Sequence, residues 1–190
     1  MQNDLVLKQL IASAQVLGIQ NDLSLPASDR QILRIANEQK RALSATEIQQ
    51  MCRSSNVDAQ LIEQLQSKAN HLVQQAREFL MKEQPHLVEP GGALFPSERA
   101  EACWRDCWQF FRVIVYALAC RRPQFTDPVG MGALRTLYAH LGVPLEGLNI
   151  ALKQLKVLTR QEVMSPTEDQ LLSDSFGHLL EELNKTAVKS

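Results

Sequence analysis

The sequence predicts an all-α domain of about eight helices. Apolar residues recur at helical spacing through nearly the whole chain, and no useful stretch alternates as a strand would. Hydrophobic residues make up 45% of the 190 positions, and 8 Gly and 8 Pro are few enough for one well-cored globular domain. The formal net charge of −1 argues against a nucleic-acid partner, which needs clustered Lys and Arg.

The first half of the chain predicts four helices. The first carries apolar residues at helical spacing, namely Leu7, Leu10, Ile11, Ala14 and Leu17. After a loop at Leu25-Pro26, a short helix is expected over 28–37, and Ser44 with Glu47 forms a capping box that opens the next one. A long amphipathic helix follows, with its apolar face at Leu61, Leu65, Ala69, Leu72, Ala76 and Leu80.

Four more helices are predicted in the second half. Pro and two Gly make 89–93 a loop, and a helix then runs over about 97–120 until Arg121-Arg122-Pro123 breaks it. The next helix covers about 129–140 and ends at Gly142-Val143-Pro144. Another spans about 145–158, and a second capping box, Ser165 with Glu168, opens the last helix.

The four cysteines, at positions 52, 103, 107 and 120, show no CxxC and no zinc-ligand spacing, so we expect no metal. We expect reduced thiols in a cytoplasmic protein, with Cys52, Cys107 and Cys120 as small core residues.

The chain opens without a signal-peptide pattern, and the apolar stretch 108–120 is too short to insert into a membrane. No catalytic pattern of an enzyme is present.

Two stripes of the 97–120 helix differ in character. Trp104, Phe111, Val115 and Leu118 form an apolar stripe that is expected to face the core. The other stripe combines a cation, a thiol, a carboxylate and an aromatic ring: Arg99, Cys103, Asp106 and Phe110. By spacing alone, this second stripe is interpreted as a solvated face with an incidental cysteine.

Several motifs of this chain, in the right order, resemble those of phycobiliproteins, the light-harvesting proteins of cyanobacteria. Cys103-Trp-Arg105-Asp106 resembles the CxRD motif of that family, and 90–103 is most like the β-type allophycocyanin loop and helix. Arg112 and Tyr116 match RxxxY, 134–144 resembles GLxExYxxLGVP, and 36–47 resembles ADxxGRxLSxxE. The resemblance covers about 27–184.

The resemblance implies a globin-like fold with an N-terminal helical hairpin used for pairing, over 27–190. Residues 1–26 are then a helical extension. It also implies that Cys103 forms a thioether to a linear tetrapyrrole, a bilin of phycocyanobilin type. Asp106 would accept hydrogen bonds from the central pyrrole N–H groups, Arg99 and Arg105 would pair with the two propionates, and Phe110 would wall the rings.

Some positions depart from the family pattern. Ala93 stands where β-type members carry Asn, and Glu98 where they usually carry a basic residue. Asn37 replaces the aspartate that pairs with a partner-subunit arginine, and that arginine matches Arg112 here. The charge lost at Asn37 weakens the expected αβ heterodimer and the ring built from it.

Two functions remain open from the sequence. The first is a divergent phycobiliprotein that carries one bilin on Cys103 for light harvesting, energy transfer or light sensing. The second is a chromophore-free interaction protein in assembly, docking or stress regulation of photosynthetic complexes. Both predict phycobilisome or other photosynthetic partners, homo- or heterodimerisation, and a cytoplasmic location that extends to the thylakoid surface.

Overall fold

The computed structural model describes residues 2–186, which form eight α-helices joined by short connections. Two single turns of 3-10 helix, Ile19–Asn21 and Pro85–Leu87, lie between them, and this part of the chain contains no strand beyond an isolated bridge. In chain order the helices are α1 (Gln2–Ser13), α2 (Ala27–Glu38), α3 (Ala45–Ser55), α4 (Ala59–Glu83), α5 (Ser97–Ala119), α6 (Pro128–Leu141), α7 (Leu145–Arg160) and α8 (Pro166–Asn184). The predicted all-α class is confirmed.

Helix α5 forms the centre of the domain. It packs against α3, α4, α7 and α8, and every residue over 110–120 is buried. Helices α4 and α7 pack closely together, and α2 and α3 contact each other beyond the turn 39–44 as the expected N-terminal hairpin. The apolar stripe predicted to face the core is buried at all four positions, Trp104, Phe111, Val115 and Leu118.

The predicted helix ends are confirmed at two places. At Ser44 the capping box is complete, because the Glu47 carboxylate accepts from the Ser44 N–H at 2.7 Å and the Ser44 hydroxyl accepts from the Glu47 N–H at 3.4 Å. Gly142 ends α6 with φ 64°, a left-handed conformation that glycine adopts without strain.

The second predicted capping box, at Ser165, is only half formed. The Ser165 hydroxyl accepts from the Glu168 N–H at 3.5 Å, as predicted. The Glu168 carboxylate instead accepts from the N–H of Asp58 at 2.8 Å, so that it ties the start of α8 to the start of α4. A long-range contact has therefore taken the place of the local one.

The N-terminal helix is shorter than predicted. Helix α1 ends at Ser13, so the prediction that its period continues through Leu17 was wrong. Leu17 is fully buried outside the helix, where it forms a β-bridge to Thr126 in the connection before α6. Helix α1 then packs on α6, and at the crossing a Cβ on Gly130 would lie 2.2 Å from the Gln15 carbonyl oxygen.

Candidate functional site

A thiol, a carboxylate and a phenol lie close to one another where α5 meets α6. Cys103 is buried with 7% exposure, and Asp106, one helical turn further along the same face, is half-buried. The hydroxyl of Tyr138 on α6 donates a hydrogen bond of 2.8 Å to the Asp106 carboxylate. The two helices thus hold the carboxylate in a fixed position beside the cysteine.

Burial governs the protonation of this carboxylate and phenol. Desolvation raises the pKa of Asp106 above its ordinary value, while the hydrogen bond from Tyr138 and the charge of Arg105 act in the opposite direction. The pKa of Tyr138 is raised well above 10, first by burial and then by the nearby negative charge of Asp106. Tyr138 keeps its proton and donates the hydrogen bond that joins the two groups.

Cys103 has a second cysteine as its neighbour. The Cys107 thiol, one turn further on, forms a hydrogen bond with the Cys103 sulfur, which lowers the pKa of Cys103 against the opposing effect of burial. The same contact, together with burial, raises the pKa of Cys107. Cys103 thus has a second thiol beside it on the same buried face of α5.

The structure separates the two arginines expected at the site. Arg99 is exposed, and its guanidinium donates to the backbone carbonyls of Leu141 and Gly142 at 2.9 and 3.1 Å, at the end of α6. Arg105 is also exposed and lines a cleft toward α4 together with Trp104. Neither arginine forms a hydrogen bond or ion pair with Asp106 within the described part of the chain.

The interpretation of the second stripe as a solvated face was wrong for two of its residues. Cys103 is 7% exposed, and Phe110 is 2% exposed because it belongs to the core around α5. Of the four residues, only Arg99, at the start of the helix, is exposed, and Asp106 is half-buried. Phe110 therefore packs inside the domain, two turns from Cys103.

The two residues expected at a subunit interface meet within one chain. The Asn37 side-chain oxygen accepts from Arg112 at 3.1 Å, so α2 is held against α5. Arg112 also donates to the hydroxyl of Tyr116 at 2.8 Å, and that hydroxyl donates to the carbonyl of Arg41. The role of Asn37 and Arg112 in binding a partner stays a prediction.

Sequence reasoning did not assign a site role to Tyr138 or Cys107. Tyr138 stood inside a recognised motif, but only the packing of α6 on α5 shows which carboxylate it reaches. Cys107 carried a usable signal, because residues four apart share one face of a helix.

Among residues 2–186, no group of three or more His, Cys, Asp and Glu side chains is arranged to hold a metal ion. In the same range, no helix has the length and apolar character needed to cross a membrane.

Comparison with known proteins identifies the family. The sequence model of the family described as "Phycobilisome protein" matches residues 31–183. Allophycocyanin subunit beta-18 of Nostoc sp. is 31% identical over 126 residues, which are 65% of this chain and 75% of that protein. The same-named subunit of Porphyra purpurea is 28% identical over 135 residues, 70% of this chain and 80% of that protein.

A solved structure shares the fold. It is a far-red fluorescent biliprotein derived from an allophycocyanin F subunit of the cyanobacterium Chroococcidiopsis thermalis. The TM-score is 0.61 at 23% identity, covering 67% of this chain and 96% of that one. The chain therefore belongs to the phycobilisome protein family, a light-harvesting family, as a divergent homologue of allophycocyanin subunits with the globin-like fold.

Proposed function

We propose that this protein binds one linear tetrapyrrole covalently at Cys103 and serves light harvesting, energy transfer or light sensing in a cyanobacterial photosynthetic apparatus. The observation that carries the proposal is the cluster of Cys103, Asp106 and Tyr138 between α5 and α6. It supplies a buried thiol and, one turn away, a carboxylate held in place by a phenol.

The chemistry of these residues fits such a group. A bound tetrapyrrole would supply absorption of visible light. Cys103 would hold it through its sulfur, and the Asp106 carboxylate would accept hydrogen bonds from pyrrole N–H groups, since an anion is the strongest acceptor for such donors. Tyr138 orients that carboxylate, and the buried surroundings of Cys103 exclude water from the sulfur.

The remaining site residues are proposed to act around the pigment and not at its attachment point. Arg99 and Arg105 are exposed cations at either side of Cys103, and each would pair with a propionate through its planar guanidinium. For Arg99 this means exchanging its two backbone carbonyl partners for the propionate. Phe110, which is buried in the core, would support the α5 face from within and not line the ring system.

We further propose a non-enzymatic protein of the cytoplasm and the cytoplasmic face of the thylakoid, with phycobilisome or other photosynthetic proteins as partners. The family supports this location and these partners. Residues 1–26 would act as a helical extension of the domain over 27–190. Dimerisation, with itself or with a related subunit, would use the surface near Asn37 and Arg112.

A chromophore-free interaction protein is the second candidate, and one observation favours it. Cys103 is 7% exposed, the Asp106 carboxylate already has a partner in Tyr138, and Arg99 is engaged at the end of α6. In that case the cluster is a structural contact between α5 and α6. The protein would then act in assembly, docking or stress regulation of photosynthetic complexes.

One experiment distinguishes the two candidates. The wild-type chain and the variants Cys103→Ser and Cys107→Ser are purified from a bilin-producing cyanobacterial host and denatured in acidic urea, which removes non-covalent pigment. The proposal predicts visible absorbance that stays with the wild-type and Cys107→Ser polypeptides and is lost in Cys103→Ser. A colourless wild-type polypeptide would leave the chromophore-free function.

A further inference from the structure

A concave site lies on the side of α5 that faces α4. It is a cleft of about 340 Å³, close to the lower end of the range for small-molecule sites. Its walls include Trp104, Trp108 and Arg105 from α5 and Val73 and Arg77 from α4. Cys103 is not among the residues that line it. The cleft is thus distinct from the cluster between α5 and α6.

An unpartnered hydrogen-bond donor lies at this cleft. Trp104 is only 6% exposed, and its indole Nε1 is buried without an acceptor. Buried donors are nearly always satisfied, because an N–H withdrawn from water without a partner destabilises the fold. The unmet donor belongs to a residue of the cleft wall, and an acceptor brought by a ligand would satisfy it.

The charges around the cleft favour an anion. The Arg77 guanidinium lies over the Trp104 ring, 5.4 Å from its centroid, and pairs with Glu101 at 3.3 Å. Arg105 forms no ion pair or hydrogen bond with another residue of the described chain. Two cations against one carboxylate leave a net positive charge, and a guanidinium suits a planar carboxylate.

The aromatic walls add a preference for a flat ligand. Trp104 and Trp108 lie one turn apart on α5, and both line the cleft. Aromatic faces bind other rings by stacking and bind guanidinium groups by cation–π attraction. A ligand that is both flat and anionic would use the ring faces and the arginines at once.

We propose that the cleft between α4 and α5 binds a small aromatic carboxylate, with its ring against Trp108 and its carboxylate between Arg77 and Arg105. The Trp104 N–H donates to the same carboxylate once the side chains around its Nε1 move aside. The cleft shares Arg105 with the proposed pigment site, so binding is tested on protein without a pigment. It uses one face of α5, and the Cys103 cluster uses another.

The two tryptophans of the sequence are both in this cleft, so intrinsic fluorescence excited at a tryptophan wavelength reports on it directly. The full chain is produced in a host without linear tetrapyrroles and titrated with benzoate. Cyclohexanecarboxylate, which has the charge without the ring, and benzyl alcohol, which has the ring without the charge, serve as comparison ligands. We expect saturable quenching by benzoate, with clearly weaker binding of the other two.

Variants identify the contacts. Arg105→Gln removes an exposed cation, and Trp104→Phe removes the N–H while keeping a ring and leaving Trp108 as the reporter. Each should weaken benzoate binding about tenfold, the effect of losing a hydrogen bond to a charged group. Arg53→Gln, at an exposed arginine of α3, should bind benzoate as the wild type does.

Three results would overturn the proposal. They are quenching that rises linearly without saturation, equal affinity for benzoate and benzyl alcohol, and unchanged benzoate affinity in Arg105→Gln. None of them bears on the pigment proposal, because the protein under test carries no tetrapyrrole. Conversely, a colourless protein from a cyanobacterial host leaves this cleft unaffected.

Discussion

Replacing Tyr138 by phenylalanine removes the hydroxyl that donates 2.8 Å to the Asp106 carboxylate and keeps the ring that fills the space. A hydrogen bond to a charged group contributes about 1.5–3 kcal/mol, and because Asp106 is half-buried we expect about 2 kcal/mol at pH 7. With a denaturant slope of about 2 kcal/mol per molar urea, the unfolding midpoint should fall by about 1 M.

The loss should depend on pH with a defined sign. Burial already raises the pKa of Asp106 above its unfolded value of 3.8, so its protonated form stabilises the fold at low pH and this stabilisation is lost as pH rises through the folded pKa. Without the Tyr138 hydrogen bond, that pKa rises further. The difference between wild type and Tyr138→Phe should therefore be about 1 kcal/mol smaller at pH 4 than at pH 7.

Urea unfolding followed by circular dichroism at pH 4, 5, 6 and 7 measures both quantities. The matched control is Tyr116→Phe, at the other tyrosine of the sequence, whose hydroxyl bonds Arg112 and the Arg41 carbonyl. The Tyr116 hydroxyl bonds no carboxylate, so the control should lose stability equally at every pH. A loss in Tyr138→Phe that is the same at pH 4 and pH 7 would refute the proposed coupling to Asp106.

Three further substitutions test the helical framework of the domain. Glu47→Gln breaks the paired hydrogen bonds from Arg41, both 2.7 Å, and should cost about 1–2 kcal/mol at pH 7. Those bonds lower the pKa of Glu47 to about 2. Their stabilisation is therefore complete above pH 4.5 and is lost as pH falls through 2. The free energies of unfolding of the wild type and Glu47→Gln should converge at that acidic end. Gly130→Ala places a methyl group 2.2 Å from the Gln15 carbonyl oxygen and should make residues 14–25 susceptible to cleavage by subtilisin. An unchanged rate of cleavage would show that the backbone relieves this clash by a small shift. Gly177→Ala, with no heavy atom within 4 Å of the new Cβ, should instead raise stability by about 0.5–1 kcal/mol.

Local signals predicted most of the helices because the interactions that begin and end a helix lie within a few residues. The Ser44 capping box and the left-handed Gly142 are of this kind, and both are found where they were expected. Leu17 and Glu168 were interpreted by the same local rules. Their actual partners, Thr126 and the Asp58 backbone, are about 110 residues away in the chain, and local spacing carries no information about them.

In the candidate site too, local spacing predicted the residues that share a helix face but not their partners on another helix. Helical spacing put Cys103 and Asp106 on one face, and the structure has them there. The partner of Asp106, the Tyr138 hydroxyl, comes from α6, and Arg99 is turned toward the end of that helix. Spacing alone also assigned this face to solvent, because a single helix shows which residues share a face but not what covers it.

The most direct test of the pigment proposal is the mass of two tryptic peptides from protein made in a bilin-producing cyanobacterial host. Trypsin cleaves after Arg99, Arg105 and Arg112, so Cys103 and Cys107 fall into separate peptides, 100–105 and 106–112. We predict that peptide 100–105 is heavier by one tetrapyrrole and absorbs visible light, while 106–112 has its bare mass. A bare mass for 100–105, with or without pigment on 106–112, would contradict the assignment of Cys103.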